Sequence, residues 1–148
     1  WSRCMSSIIR GDDNFDSTPA SHGRVVRTSG DISTTSTSLV DVTGASVTIT
    51  TGANPVAYCL TASYLSATQW AFAWFNISVD NVLEFGTSGV QSRMSAANTD
   101  NLVSTAGQTA ALTAASHTIK AVWKVDTGTG YLRANSSVAT MFYAHEIK

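Results

Sequence analysis

The stretch "HTIKAVWKVDTGTGYLRA" gathers an imidazole, two ammonium groups, a carboxylate and a guanidinium around a glycine turn, at His117, Lys120, Lys124, Asp126 and Arg133. Converging, such groups could move a proton or grip an anion. Their spacing argues otherwise. Side chains of an extended chain alternate between two faces, so Ile119, Ala121, Trp123 and Val125 share one face, while Thr118, Lys120, Val122 and Lys124 share the other. The charges then form the wetter side of a hairpin. Asp126 is expected to close the reversal by bonding its own backbone, and Gly128 and Gly130 tolerate positive φ. The return strand sets Tyr131 and Arg133 on one face, opposite neighbours that the sequence leaves open.

Other reactive residue types are sparse. His22, His117 and His145 lie in no HExxH helix, and none has a cysteine or second histidine at metal spacing, so each reads as a surface or hydrogen-bonded residue. No GxSxG elbow, SxxK or CxxC occurs. Paired carboxylates occur only in "GDDNFD", without the spacing of an EF-hand. The glycines fall singly between strands as turn formers and build no phosphate cradle. No cofactor, no metal site and no enzymatic activity are expected.

Short motifs carry little information. "RGD" at Arg10, Gly11 and Asp12 is read as a chance match, and Asn76 and Asn135 open glycosylation sequons that matter only in a glycosylating host. Cys4 and Cys59 could form one bridge at most. Cys59 sits in the apolar run "VAYCLTA", where a buried free thiol is expected.

A chain of 148 residues fits one domain, which at this size buries about 68–70% of the surface its unfolded form exposes. Only 13% of residues are charged, and Ser, Thr, Ala, Val and Gly abound, a bias towards strands and turns. Nine Lys and Arg scattered against ten Asp and Glu form no basic stripe, so nucleic acid is not an expected partner. The longest apolar run, "WAFAWF", falls far short of the ~20 residues that span a bilayer. A start at Trp1 without methionine suggests a processed product or a piece of something longer.

Residues 1–23 show no sustained period and read as an extended N-terminal arm, with Ile8, Ile9, Arg10 and Phe15 as its candidate partner contacts. From residue 24 to 148, runs rich in Val, Ile, Thr and aromatics recur between turn residues, at the spacing of a β-sandwich with about 8–10 antiparallel strands. "NTDNLVSTAGQTAALTAA" hints at one helical turn, but Gly107 and its threonines argue against a core helix.

"QWAFAWFNISV" is apolar on both faces: Trp70, Phe72 and Trp74 on one, and Ala71, Ala73, Phe75, Ile77 and Val79 on the other. A two-layer sandwich covers one face of each sheet, so the three large aromatics need a second cover. A second subunit would provide it, which makes Trp70, Phe72 and Trp74 candidate interface residues. A strand crossing the middle of the sandwich is the alternative.

The order "ALTAASHTIKAVWKVDTGTGYLRANSSVATMFYAHEI" resembles the C-terminal half of a jelly-roll module recurrent in virion proteins of tailed bacteriophages. "STTSTSLVDVTGASVTITTGANPVAYCL" looks like the opening strands of the same module. The layout is also similar to the tumour-necrosis-factor and C1q-like jelly roll, whose members are commonly trimers packed through aromatic-rich strands. "IIRGDDNFDSTPASHG" has no counterpart, so the mode of attachment stays open. The resemblance implies an all-β jelly-roll β-sandwich, a homotrimer, and a non-enzymatic virion part located on the outer surface of a capsid or tail. Capsid decoration beside the major capsid protein is the leading expectation, with tail or fibre attachment next. The rival is a host glycan or receptor module that uses exposed loop aromatics such as Tyr64, in the loop "ASYLSATQW", or Tyr131 and Arg133.

Overall fold

The computed structural model describes residues 21–94 and 96–148, and among them every regular element is a strand. In chain order these are β1 (His22–Arg27), β2 (Ile32–Thr34), β3 (Val40–Thr50), β4 (Val56–Ser66), β5 (Phe72–Val79), β6 (Val82–Leu83), β7 (Val90–Arg93), β8 (Asn101–Gln108), β9 (Ser116–Val125), β10 (Gly130–Arg133) and β11 (Thr140–Glu146). Two antiparallel sheets result. A six-stranded sheet runs β1-β11-β4-β10-β2 with β8 on the other edge of β4, and a five-stranded sheet runs β3-β9-β5-β6 with β7 also on β5. This is the expected jelly-roll sandwich.

The alternation seen in the sequence builds the core. Val56, Tyr58, Leu60, Ala62 and Tyr64 of β4 point inward against Phe75, Ile77, Ile119, Trp123, Leu132 and Phe142, all buried. Phe75 stacks on Trp123 at 6.0 Å between ring centroids and meets Tyr64 edge-on at 6.0 Å. Ring pairs of this geometry add to the burial that drives sandwich packing. At Gly130 a Cβ would stand 2.7 Å from Val125 Cγ1 and 3.0 Å from Tyr64 Cε2, so the β9–β10 hairpin needs a glycine there for close packing.

Several expectations change. The stretch with the helical hint forms β8, because its Val103 and Thr105 bury against the core while the strand pairs along the whole outer edge of β4. β1 starts at His22, within the span read as arm, and pairs His22 with His145 and Gly23 with Ala144. Asp126 does not bond its own turn: its Oδ1 accepts the Phe72 N–H at 2.8 Å, tying the hairpin to the start of β5. The arm contacts Ile8, Ile9, Arg10 and Phe15, the RGD triplet, "GDDNFD" and Cys4 lie outside the described residues.

Candidate functional site

Among the described residues no three His, Cys, Asp or Glu side chains come together as a metal site. A groove of about 650 Å³ opens between β1, the turn after it and the Thr43–Ala45 bulge of β3, with Arg24, Arg27, Thr28, Ser29 and Thr140 in its walls. No carboxylate or imidazole lines it. The chemistry that distinguishes this molecule lies instead on the outer faces of its two sheets.

On the six-stranded sheet, register places the outward residues in rows. His145, Ala57 and Gln108 form one, Tyr143, Cys59 and Ala106 the next, and Met141, Thr61 and Ser104 a third. Within β11, β4 and β8 none carries a carboxylate, ammonium or guanidinium group, but β1 sets Arg24 beside Tyr143 in the second row, its guanidinium 3.7 Å from Met141 Sδ. Tyr143 is 42% exposed and stacks on His145, and Leu102, beyond the third row, is 78% exposed. Cys59 presents a half-buried free thiol here, not a buried one, because its side chain falls on the outward parity of β4.

Tyr131 and Arg133 extend this same face, since Tyr131 pairs with Leu65 and Arg133 with Ser63. The guanidinium is held by Asp31 at 3.3 Å and Asp100 at 3.9 Å. Tyr64 does not join them. It was read as a loop aromatic, but it lies in β4 with its ring fully buried against Phe75, and burial raises the pKa of its phenol. The structure therefore separates Tyr64 from the other two residues of the glycan reading.

The five-stranded sheet differs in kind. Ala73, Phe75, Ile77 and Val79 are the inward face of β5, and Phe72 and Trp74 face out. Trp70 precedes the strand rather than belonging to it; its φ is 65°, a left-handed conformation unusual for a bulky side chain, and its ring is 50% exposed. Backbone bonds from Trp70 N to Met94 O and from Met94 N to Ala71 O, each 3.0 Å, hold this turn. Cations of the same chain flank these rings. The Arg93 guanidinium lies 4.5 Å from the Trp70 ring centre and 5.3 Å from that of Phe72, and Lys124 Nζ lies 5.2 Å from Trp74. Cations over ring faces are attracted by the ring quadrupole.

Two carboxylates brace the ends of the sandwich. His117, only 7% exposed, sits on the inward parity of β9. Its Nδ1 meets Asp80 Oδ2 at 2.6 Å and its Nε2 meets the Thr113 carbonyl at 2.9 Å. Both oxygens can only accept, which favours the cationic imidazolium with both ring nitrogens donating; the Thr113 hydroxyl, 3.4 Å from Nε2, is the one neighbour among the described residues that could donate to it. Accordingly the Asp80 hydrogen bond raises the His117 pKa, and the same bond, with the Thr118 N–H, lowers that of Asp80. Glu146 is also buried: its carboxylate accepts the Gly52 N–H and the Asn54 amide, which lower its pKa.

The sequon asparagines are structural. Asn76 is fully buried, accepting the N–H groups of Ile77 and Phe85 and donating to Gly86 O. Asn135 accepts the N–H groups of Ser137 and Val138 in a turn.

No protein-family model matches the chain. No curated protein matches it either. Among solved structures it is similar to the Eiger TNF of S. frugiperda, with a TM-score of 0.52 and 12% identity over 87% of this chain and 92% of that one. The likeness is one of fold: a TNF-like jelly roll.

Proposed function

We propose that this chain is a non-enzymatic assembly module, a structural part of a tailed-bacteriophage virion that self-associates as a trimer through the outer face of its six-stranded sheet. The observation that carries the reading is a central strip without Lys, Arg, Asp or Glu at the outward positions of β11, β4 and β8, bordered by Arg24 of β1 beside Tyr143 and by Arg133 of β10 beside Ser63. Depletion of charge with an exposed tyrosine and leucine is the composition of an interface core. The aromatic face has its own cations beside the rings and is the weaker candidate for subunit contact. Jelly rolls of the TNF-like kind are commonly homotrimers, in keeping with this reading.

The virion setting rests on the order of strands and turns from Ser33 to Ile147, and capsid decoration is its most specific form. In that form the β-sandwich supplies rigidity. The purified chain is then expected to bind assembled capsid shells of its own particle and to raise their resistance to heat or chaotrope. Failure to bind such shells, or binding without added resistance, would remove the decoration reading.

A further inference from the structure

The outer face of the five-stranded sheet has a layout that suits a ligand of particular chemistry. Register sets Gln91, Trp74 and Lys124 in one row across β7, β5 and β9, and Arg93 beside Phe72 in the next, with Trp70 beyond. The Phe72 and Trp74 centroids are 5.9 Å apart with planes inclined by 36°. Each ring therefore has a hydrogen-bonding side chain at its flank.

Two observations set this face apart from ordinary packed surface. First, Trp70 keeps a left-handed backbone while leaving half its ring in water; strained conformations of this sort persist where the surroundings enforce them and concentrate at binding sites. Secondly, Lys120 on the same sheet pairs with Asp41 at 3.0 Å, yet among the described residues Arg93 and Lys124 have no carboxylate partner. On this sheet the cations left without a counter-charge are the two that stand over the rings; on the other sheet Arg24 and Arg27 likewise have no carboxylate partner among the described residues, but neither lies over a ring.

We propose that this face binds an acidic oligosaccharide, with pyranose rings stacked along Trp70, Phe72 and Trp74, the sugar carboxylate on Lys124, and hydroxyls on Gln91 and Arg93. The apolar C–H face of a pyranose matches the negative face of an aromatic ring, and a few flanking polar groups fix its orientation. Unpaired guanidinium and ammonium groups select an acidic sugar over a neutral one. Nucleic acid fits less well, because two cations neutralise few phosphates and the chain as a whole carries a net charge of −1. In a trimer closed through the six-stranded sheet, three such faces point outward and can engage one polymer together.

The test follows tryptophan emission while the full chain is titrated with hexagalacturonate, sialyllactose, neutral cellohexaose or a thymidine octanucleotide. The acidic sugars are expected to quench saturably, with the neutral sugar and the oligonucleotide at least about tenfold weaker. Lys124→Gln and Trp70→Ala should each weaken acidic-sugar binding about tenfold, with circular dichroism unchanged, and Tyr131→Ala on the other sheet should leave it as it was. The proposal is overturned if neither acidic sugar quenches saturably, if cellohexaose or the oligonucleotide binds as well, or if Lys124→Gln binds like the parent. Lys124→Gln keeps the test sound should Trp70→Ala fold poorly.

Discussion

Across β11, β4 and β8 the outward residues are mostly small, hydroxylic or apolar, with Gln108 and His145 at one end and no Lys, Arg, Asp or Glu, whereas across β7, β5 and β9 they are large rings bracketed by cations. Both faces belong to one sandwich and share one core, and sequence alone marks only the second as unusual. The difference teaches that a row of aromatics does not by itself require a partner subunit. Arg93 and Lys124 stand beside the rings within the chain, and Trp70 still keeps half its surface in water. Tyr143 and Leu102 have no cation stacked on them; Arg24 and Arg133 stand at the two borders of the strip, and the small residues between them are suited to close approach by another copy.

Inserting a carboxylate into each face in turn is the strongest way to break this comparison. Tyr143→Asp is expected to weaken self-association by roughly two orders of magnitude, since it removes the exposed ring and leaves a carboxylate with only Arg24 beside it in the contact. Trp74→Asp, on the other sheet, is expected to leave association unchanged. Size-exclusion chromatography with light scattering distinguishes the two. Equal loss of assembly in both variants would erase the distinction between the faces.

A smaller effect separates the sandwich end from both faces. The raised His117 pKa contributes stability that is complete below the unfolded value of 6.5 and is lost as pH rises through the folded value. The lowered Asp80 pKa contributes stability complete above 3.8 and lost as pH falls through the folded value. The clasp is thus strongest between pH 3.8 and 6.5. Thermal melts across pH should show the melting temperature declining above neutrality, and Asp80→Asn should flatten that decline. If the histidine is seen by NMR to titrate at or below 6.5, the clasp does not hold the cation.

The smallest expected effects test the cation–ring contacts themselves. Arg93→Gln and Lys124→Gln should each lower the unfolding free energy by about 0.5–1 kcal/mol, the size of an exposed cation–ring contact, as measured by urea denaturation. The same charge removal at Arg24, which stacks on no ring, should fall within about 0.5 kcal/mol of the parent. A null result at both Arg93 and Lys124 would mean that these cations do not hold to the rings in solution.

Parity along strands was the most legible signal. It gave the inward Ile119, Trp123 and Val125 of β9 and the two apolar faces of β5, because alternation is local and needs no knowledge of partners. The same parity puts His117 with Ile119, so its burial was readable from the sequence, but its partner Asp80 lies 37 residues away and comes near only through folding. Tyr64 was misread as a loop residue because Ser63 and Ser66 beside it look like turn formers, whereas pairing with β8 and β10 extends β4 to Ser66. β8 was hidden by alanines, which favour helix until an edge of β4 is available. The turn at Trp70 and the placement of Arg93 and Lys124 over the rings depend on register, which composition does not specify.

The central claim is that the uncharged strip is where this chain meets its own copies, and sedimentation equilibrium of the parent chain at micromolar concentration tests it most directly. The account predicts a mass three times that of the 15.6 kDa chain, reverting to one chain mass in Tyr143→Asp and not in Trp74→Asp. A parent chain that sediments as a monomer would contradict it.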